Sequence, residues 1–307
     1  MTVFNTIIRG TVLAWVVMTG LAAAATAEVT LTQKYPEDSS HTYQMQVLVE
    51  QKLTLGEQSL DTKNESRVTL KTSYGTRDEQ QRLPVATTFA SIQSKLQLPG
   101  GVTVEFDSDK PDAESDNPLA QILIDTLKKQ SGTTLKYSVG KDGTVSDVSG
   151  LPEGALVSAK SLQREFQQAA NVFPDEPVEV GDTWRRTTQS DVGNGQLFTI
   201  KRQYEYQGTV PEFPTLADSR KLEKIRVTAE SVEFTIDPDG GLPLKVEKSD
   251  LRIASSDGTI LFDRQTGRIV SQTDEIRIQG DLALGAAGMN LEGRLDLTMK
   301  TKTTEER

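Results

Sequence analysis

Four acidic side chains in one short polar segment have the chemistry of a cation site. Asp107, Asp109, Asp112 and Glu114 supply carboxylate oxygens, the hard ligands that calcium prefers. The segment lacks the central glycine and the terminal bidentate glutamate of an EF-hand loop, and Lys110 interrupts it. A solvated acidic loop before a helix N-terminus, where negative charge is favourable, explains the same residues. Calcium is the one cofactor that this pattern predicts, and we expect no other.

The single histidine restricts the catalytic chemistry of the chain. His41 follows Asp38-Ser39-Ser40, and a nucleophilic serine would need it as a base, with an acid to orient it. The sequence has no Gly-x-Ser-x-Gly elbow, no phosphate-cradling loop and no dinucleotide fingerprint. The absence of cysteine excludes thiol nucleophiles and thiolate zinc sites. We therefore predict a protein that is not an enzyme, with His41 at the surface or at a strand edge.

The charge balance disfavours nucleic acid as a partner. The 307 residues contain 34 Lys and Arg against 44 Asp and Glu, which gives a formal net charge of −10. Binding to nucleic acid requires clustered Lys and Arg that neutralise phosphates. We expect no nucleic acid partner.

Residues 1–27 have the pattern of a secretory signal peptide. Arg9 supplies the positive start, an apolar run follows over 11–25, and Ala25-Thr26-Ala27 is a small-x-small cleavage site. The run is shorter than the roughly 20 apolar residues of a spanning helix, although an uncleaved membrane anchor is the alternative. No second run approaches spanning length. We predict a soluble, exported protein of the periplasm or a secreted protein of a bacterial cell envelope.

Alternation of apolar and polar residues dominates the rest of the chain. Tyr43, Met45, Val47 and Val49 alternate with polar residues, and similar patterns recur within 200–210, 276–284 and 291–299. This period is typical of antiparallel strands with one buried and one solvated face. Within 225–236 the apolar parity flips, which predicts a bulge near Glu230-Ser231.

Short turn signals separate the predicted strands. Lys141-Asp142-Gly143, Asp239-Gly240-Gly241, Asp257-Gly258 and the segment 264–267 combine glycine with polar residues between strand-like runs. These combinations are typical of hairpin connections. We predict a turn at each of the four places.

Two segments show helical periodicity instead. The segment 118–130 begins with Asn117 as a plausible N-cap and Pro118 at the first helical position, and the segment 158–171 ends before two prolines. Each has one apolar face, which either packs on the sheet in the ordinary way or covers a ligand as a lid. The candidate lid residues are Leu119, Ile122, Leu123, Leu162 and Phe166.

These elements predict a β-dominated α+β fold. We expect a large curved antiparallel sheet or half-open barrel with two inserted amphipathic helices. The predicted organisation is a signal at 1–27 and a single β-rich domain at 28–307. Two halves, 28–110 and 178–302, show a similar succession of strands and are joined by a helical segment at 116–172. Either they are related by duplication, or one large sheet simply repeats its strand chemistry.

The order of several short motifs resembles a known domain. The segments 106–109, 142–151, 173–184 and 262–268 follow one another as in an exported bacterial domain of unknown function, the DUF6263 type common in planctomycetes. That resemblance implies no activity and no site residue. More distantly, the fold is similar in outline to lipoprotein-carrier folds, in which a half-open barrel covered by helices holds an acyl chain.

Long strands with one apolar face and two apolar-faced helices favour a binding function. We predict a non-enzymatic binding or carrier protein for a lipid or another apolar or amphiphilic ligand in the cell envelope. The alternative is an envelope assembly or protein-interaction module without a small-molecule ligand, which would use exposed strand edges or the acidic segment. The pattern leaves the oligomeric state open.

Overall fold

The computed structural model describes residues 28–110, 112–153, 155, 158–192, 195–212, 219–237, 245–286 and 289–306. The predicted signal at 1–27 and the predicted turn at Asp239-Gly240-Gly241 lie outside the described residues. No helix within these ranges is long and apolar enough to cross a membrane. The β-dominated α+β class predicted from the sequence is confirmed.

Twelve strands and two helices follow one another along the described chain. The strands are β1 (Ser39–Leu55), β2 (Gln58–Tyr74), β3 (Leu83–Gln97), β4 (Thr103–Asp107), β5 (Thr134–Val139), β6 (Val145–Ser149), β7 (Thr183–Asp191), β8 (Gln196–Pro211), β9 (Lys221–Ile236), β10 (Lys245–Asp263), β11 (Arg268–Ala286) and β12 (Met289–Glu306). The helices are α1 (Pro118–Gln130) and α2 (Ala159–Ala170). Both helices lie in the middle of the chain, as predicted.

The strands form one antiparallel sheet in the order β6-β5-β3-β2-β1-β12-β11-β10-β9-β8-β7. β5 pairs with one end of β3 and β4 with the other end, so these two short strands share an edge of β3. The first and last strands are neighbours in the middle of the sheet. Among the described strands no ladder joins β6 to β7, so the sheet is not closed into a barrel. The division into two related halves stays a prediction.

One face of the sheet carries the apolar core. Residues directly opposite each other on neighbouring strands project from the same face. One such row crosses the sheet and consists of Trp184, Tyr204, Val227, Gly258, Asp274, Thr301, Val47, Ser66, Ser94 and Phe106. Members of this row belong to two apolar clusters, and Ile276 and Val49, two positions along their strands, belong to a third. We call this side the inner face.

Local capping chemistry fixes where the helices begin. The Asn117 side chain accepts hydrogen bonds from the backbone N–H groups of Leu119 and Ala120. The Ser158 hydroxyl accepts from the N–H of Ser161. These side chains satisfy backbone donors that a helix start leaves unpaired. The two helices are therefore confirmed with the predicted starts.

The predicted bulge in β9 is confirmed. Ser231 pairs with Lys201 of β8, and Ala229 pairs with the next residue, Arg202. Glu230 is the extra residue between them. An extra residue reverses the side-chain alternation, so apolar side chains face the core on both sides of the bulge.

The turn predicted at Asp257-Gly258 is wrong, whereas the turn after Asp263 is confirmed. β10 continues through Gly258, which pairs with Val227 of β9 and Asp274 of β11. Glycine here leaves space on the inner face instead of bending the chain. The guanidinium of Arg202 reaches across β9 and β10 through this space and binds the Asp274 carboxylate at two points, with N–O distances of 2.7 and 2.9 Å.

Replacing Gly258 with alanine is expected to destabilise the fold. A Cβ at this position would lie 3.1 Å from the Thr273 carbonyl oxygen and 3.2 Å from both Asp274 Oδ1 and Val227 Cβ. Overpacking of this kind costs about 1–3 kcal/mol. Urea unfolding of Gly258→Ala measures the loss, and Gly75→Ala is the control, because its Cβ would meet nothing closer than 3.6 Å. Equal stability of the two variants would contradict the close approach.

Candidate functional site

Helix α2 is hydrogen bonded to β6, one free edge of the sheet. Gln167 Oε1 accepts from the backbone N–H of Val145 at 2.7 Å, and Gln167 Nε2 donates to the carbonyl of Gly143 at 2.9 Å. Gln163 Nε2 donates to the carbonyl of Val145 at 2.8 Å. The two glutamines are four residues apart and therefore project from the same side of the helix. Together they satisfy both backbone groups of Val145 on the open edge.

The opposite side of α2 is hydrogen bonded to β7, the other free edge. The side-chain amide of Gln168 accepts from the N–H of Gln189 and donates to its carbonyl, at 2.5 and 3.1 Å. The Ser161 hydroxyl donates to Asp191 Oδ2 at 2.8 Å. The backbone N–H of Asp191 donates to the Glu165 carboxylate. One helix therefore bonds to both edge strands.

This double attachment requires strong curvature. The path from β6 to β7 contains eleven strands, and at about 4.8 Å per strand a flat sheet would separate its edges by roughly 48 Å. A helix with its side chains is only about 10–12 Å wide. Because both edges bond to the same helix, the sheet curls until they are one helix apart. The expected half-open barrel with inserted helices describes this arrangement.

An apolar cavity of about 300 Å³ lies between the two helices and the sheet. Its apolar lining consists of Phe89, Leu135, Leu151, Pro152, Ala155, Leu162 and Val192, and its polar lining of Thr126, Gln130, Thr133 and Asp191. β3, β5, α1, α2, the segment before α2 and the end of β7 all contribute. Mostly apolar walls with a few polar groups are typical of small-molecule sites.

The five candidate lid residues have different surroundings. Leu162 lines the apolar cavity, and Phe166 stacks on Tyr137 with ring centroids 4.4 Å apart. Leu123 packs on the apolar cluster beneath α1. Leu119 and Ile122 are 56% and 62% exposed, because α1 turns Ala120 and Ile124 to the sheet instead. A lid role stays a prediction, and only Leu162 lies at the cavity.

The Glu165 carboxyl marks the polar end of the α2 contact with β7. Burial raises the pKa of Glu165, and the neighbouring Asp191 charge raises it further, whereas the backbone hydrogen bond from Asp191 and the charge of Arg164 lower it. Desolvation is the largest of these effects, so the pKa lies above its ordinary value. The helix is thus held to β7 by a group with a raised affinity for a proton.

A second, larger cavity of about 990 Å³ is mainly polar and charged. Its lysines are largely matched by carboxylates: Lys95 binds Glu105 at 2.6 Å, and Lys300 binds Glu275 at 2.8 Å. Mixed ion pairs of this kind form a solvated surface. The apolar cavity between the helices is therefore the better candidate for an apolar ligand.

The acidic segment borders this larger cavity. Asp107 and Asp112 line it, and the side chain of Asp107 accepts from the backbone N–H of Asp109 at 3.0 Å. Asp109, Asp112 and Glu114 are exposed. Within the described residues no group of three or more acidic or histidine side chains is placed to hold a metal ion. The calcium site stays a prediction.

His41 lies in a partly buried charged cluster. Arg268 Nη1 contacts both the His41 ring and Glu305 Oε1, the latter at 2.7 Å. Burial lowers the pKa of His41, and the charge of Arg268 lowers it further. The imidazole therefore favours its neutral form beside an arginine and a glutamate that already form an ion pair.

Sequence analysis missed the residues that attach α2 to the sheet. Gln163, Gln167 and Gln168 carry no signal of apolar periodicity or of catalysis, so they count only as the polar side of a helix. Their spacing on two sides of a short helix was the available signal. It gains meaning only once the helix is known to lie between two sheet edges.

Loss of the Gln167 amide is expected to detach α2 from β6. Gln167→Leu leaves the N–H of Val145 and the carbonyl of Gly143 without this partner, which costs about 1–3 kcal/mol for a group left unsatisfied. Urea unfolding gives the stability loss, and hydrogen exchange reports the opening of the Val145 N–H. Lys160→Leu, at an exposed position of the same helix, is the control. Unchanged protection of Val145 would contradict the attachment.

The raised pKa of Glu165 predicts a pH dependence of stability. Since the folded protein binds this proton more tightly than the unfolded chain, the stabilising effect of protonation is complete at low pH and is lost as pH rises through the folded-state pKa. Between pH 7 and pH 5, wild type should gain stability relative to Glu165→Gln.

Urea unfolding of both proteins at each pH measures this difference. Asp125→Asn, which removes an exposed carboxylate from α1, is the control. A constant stability gap between wild type and Glu165→Gln across the pH range would show that burial does not perturb this carboxyl.

Comparison with known proteins gives no family assignment. No protein-family model matches the chain, and no curated protein matches it. The resemblance to the DUF6263-type planctomycete domain is therefore without support.

Several solved structures match at low similarity. Lipovitellin, from a structure describing lipid–protein interactions, is 8% identical with a TM-score of 0.45, over 89% of this chain and 26% of the lipovitellin chain. The chain thus spans about a quarter of the length of that protein. A DUF1329 family protein from Desulfovibrio piger is 8% identical with a TM-score of 0.12, over 85% of each chain.

A putative outer-membrane lipoprotein-sorting protein domain from Vibrio parahaemolyticus also matches, with 10% identity and a TM-score of 0.12 over 83% of each chain. Its presence agrees with the outline similarity to lipoprotein-carrier folds. TM-scores this low carry no argument about function.

Proposed function

We propose that this protein is a non-enzymatic carrier or binding protein for an apolar or amphiphilic ligand in the bacterial cell envelope. The apolar cavity between α1, α2 and the sheet is the observation that supports this proposal. Its volume of about 300 Å³ lies at the lower end of the range for small-molecule sites. A single apolar chain or a small ring system is a ligand of suitable size.

The cavity walls favour an apolar ligand on physical grounds. Phe89, Leu135 and Leu162 come from three different elements and converge on the cavity. Transfer of apolar ligand surface from water to such walls gains about 25 cal/mol per Å². Binding therefore needs no covalent step, and the proposal includes none.

The proposed location rests on the sequence. The signal pattern of residues 1–27 favours export, and a chain without cysteine needs no oxidative folding in an oxidising compartment. The proposed carrier therefore acts outside the cytoplasm, where lipids must cross an aqueous space.

Filling the cavity is expected to abolish ligand binding. Leu162→Trp places a larger side chain in the lining, and it should weaken binding of the neutral fluorescent probe N-phenyl-1-naphthylamine by about tenfold or more. Ile122→Trp is the matched control, because Ile122 is exposed on α1 and is not among the lining residues. Circular dichroism checks that both variants fold, and native mass spectrometry of wild type tests for a co-purified ligand.

Two results would overturn the proposal: no ligand and no probe binding by wild type, or equal effects of the two tryptophans. The alternative, a protein-interaction module, draws on the exposed Leu119 and Ile122 of α1. In that case, Ile122→Trp should remove a stoichiometric partner from envelope extracts while Leu162→Trp retains it.

A further inference from the structure

We infer that the ligand of the apolar cavity is an amphiphile with an uncharged or cationic polar end, and that Asp191 binds this end. The inference rests on the proposed carrier function and specifies its ligand class. It follows from the sign and the position of the charges around the cavity.

Asp191 is the single charged residue among the described residues that line the cavity. The other polar lining groups are the hydroxyls of Thr126 and Thr133 and the amide of Gln130. The undescribed residues nearest in sequence, at 154, 156, 157, 193 and 194, are Gly, Leu, Val, Gly and Asn, which carry no charge. The cavity therefore presents one negative charge, with no lysine or arginine among its described lining residues.

The groups around Asp191 do not reverse this sign. Asp191 Oδ2 accepts from the Ser161 hydroxyl, and the Asp191 backbone N–H donates to the Glu165 carboxylate, so a second acidic group lies beside it. Arg164 Nη2 donates to the same Ser161 hydroxyl at 3.3 Å, but Arg164 is not a lining residue. A ligand at the cavity wall meets the carboxylate of Asp191, whereas the guanidinium contacts Ser161.

These charges discriminate among amphiphiles with the same apolar chain. A carboxylate or phosphate head would approach Asp191 without a cationic partner, and the juxtaposition of like charges in a partly desolvated site costs several kcal/mol. A hydroxyl head donates a hydrogen bond to the carboxylate, and an ammonium head adds charge attraction. Threonine and glutamine side chains accept and donate to either head. The site thus selects against anionic amphiphiles by repulsion.

Competition among three ligands of equal chain length tests the inference. Dodecanol, dodecylamine and dodecanoate are each used to displace N-phenyl-1-naphthylamine from the full chain at pH 7.5, below their critical concentrations for micelle formation. We expect the alcohol and the amine to bind at least about tenfold more tightly than the carboxylate. Asp191→Asn should reduce the preference for the amine and improve binding of dodecanoate.

A second variant tests the charge argument without altering Asp191. Gln130→Lys introduces a cation into the lining, at the C-terminal end of α1 where the helix dipole favours it. It should improve dodecanoate binding by about tenfold and weaken dodecylamine binding. Asp125→Asn removes an exposed charge from the same helix and is the control for net charge, with no expected change in the order of affinities.

The outcomes separate this inference from the proposed function. If wild type binds none of the three ligands and no probe, the carrier function itself fails. If wild type binds dodecanoate as tightly as the other two, or if Gln130→Lys and Asp191→Asn leave the order of affinities unchanged, the carrier function stands and the ligand class is wrong. The expected order, shifted by both variants and not by Asp125→Asn, supports the inference.

Discussion

The open edges of the sheet impose the constraint on which the structure depends. Edge strands present backbone N–H and C=O groups without a neighbouring strand, and such groups need partners. Here the partner at both edges is one helix, through the side-chain amides of Gln163, Gln167 and Gln168. A glutamine amide carries the same donor and acceptor as a peptide group. It can therefore replace one residue of a missing strand.

This arrangement links the edges to the cavity. Because α2 directs its amides sideways to β6 and β7, its apolar side chains are left to face inward. Leu162 reaches the cavity and Phe166 covers Tyr137. The same helix thus closes the gap in the sheet and forms part of the wall. Any movement of α2 that opens the gap also opens the cavity, so access to the ligand and stability of the edges are coupled.

The sequence predicted features that depend on local chemistry. Asn117 and Ser158 marked the helix starts, and the change of parity around Glu230 marked the bulge. Gly258 was misinterpreted because a glycine that prevents a clash on a sheet face has the same local pattern as a turn glycine. Only the strands on either side of it distinguish the two roles. The cavity was beyond prediction for a similar reason, since its lining comes from six separate parts of the chain.

The exposure of Leu119 and Ile122 illustrates the same limit. Helical periodicity gave α1 a wide apolar face, but Ala120 and Ile124 are the residues buried against the sheet. Periodicity defines a stripe of residues and does not define which part of the stripe meets a neighbour. The position of the contact depends on how the sheet curls beneath the helix.

The pairing of β1 with β12 has a consequence for the order of folding. The middle of the sheet joins the first strand of the chain to the last, from Thr42 with Glu306 to Leu55 with Gly293. Such distant pairing requires closure of a loop that includes nearly the whole chain, and non-local pairing of this kind slows folding. During synthesis β1 has β2 on one side and no neighbour on the other until β12 emerges. The sheet therefore becomes continuous only with the final strand.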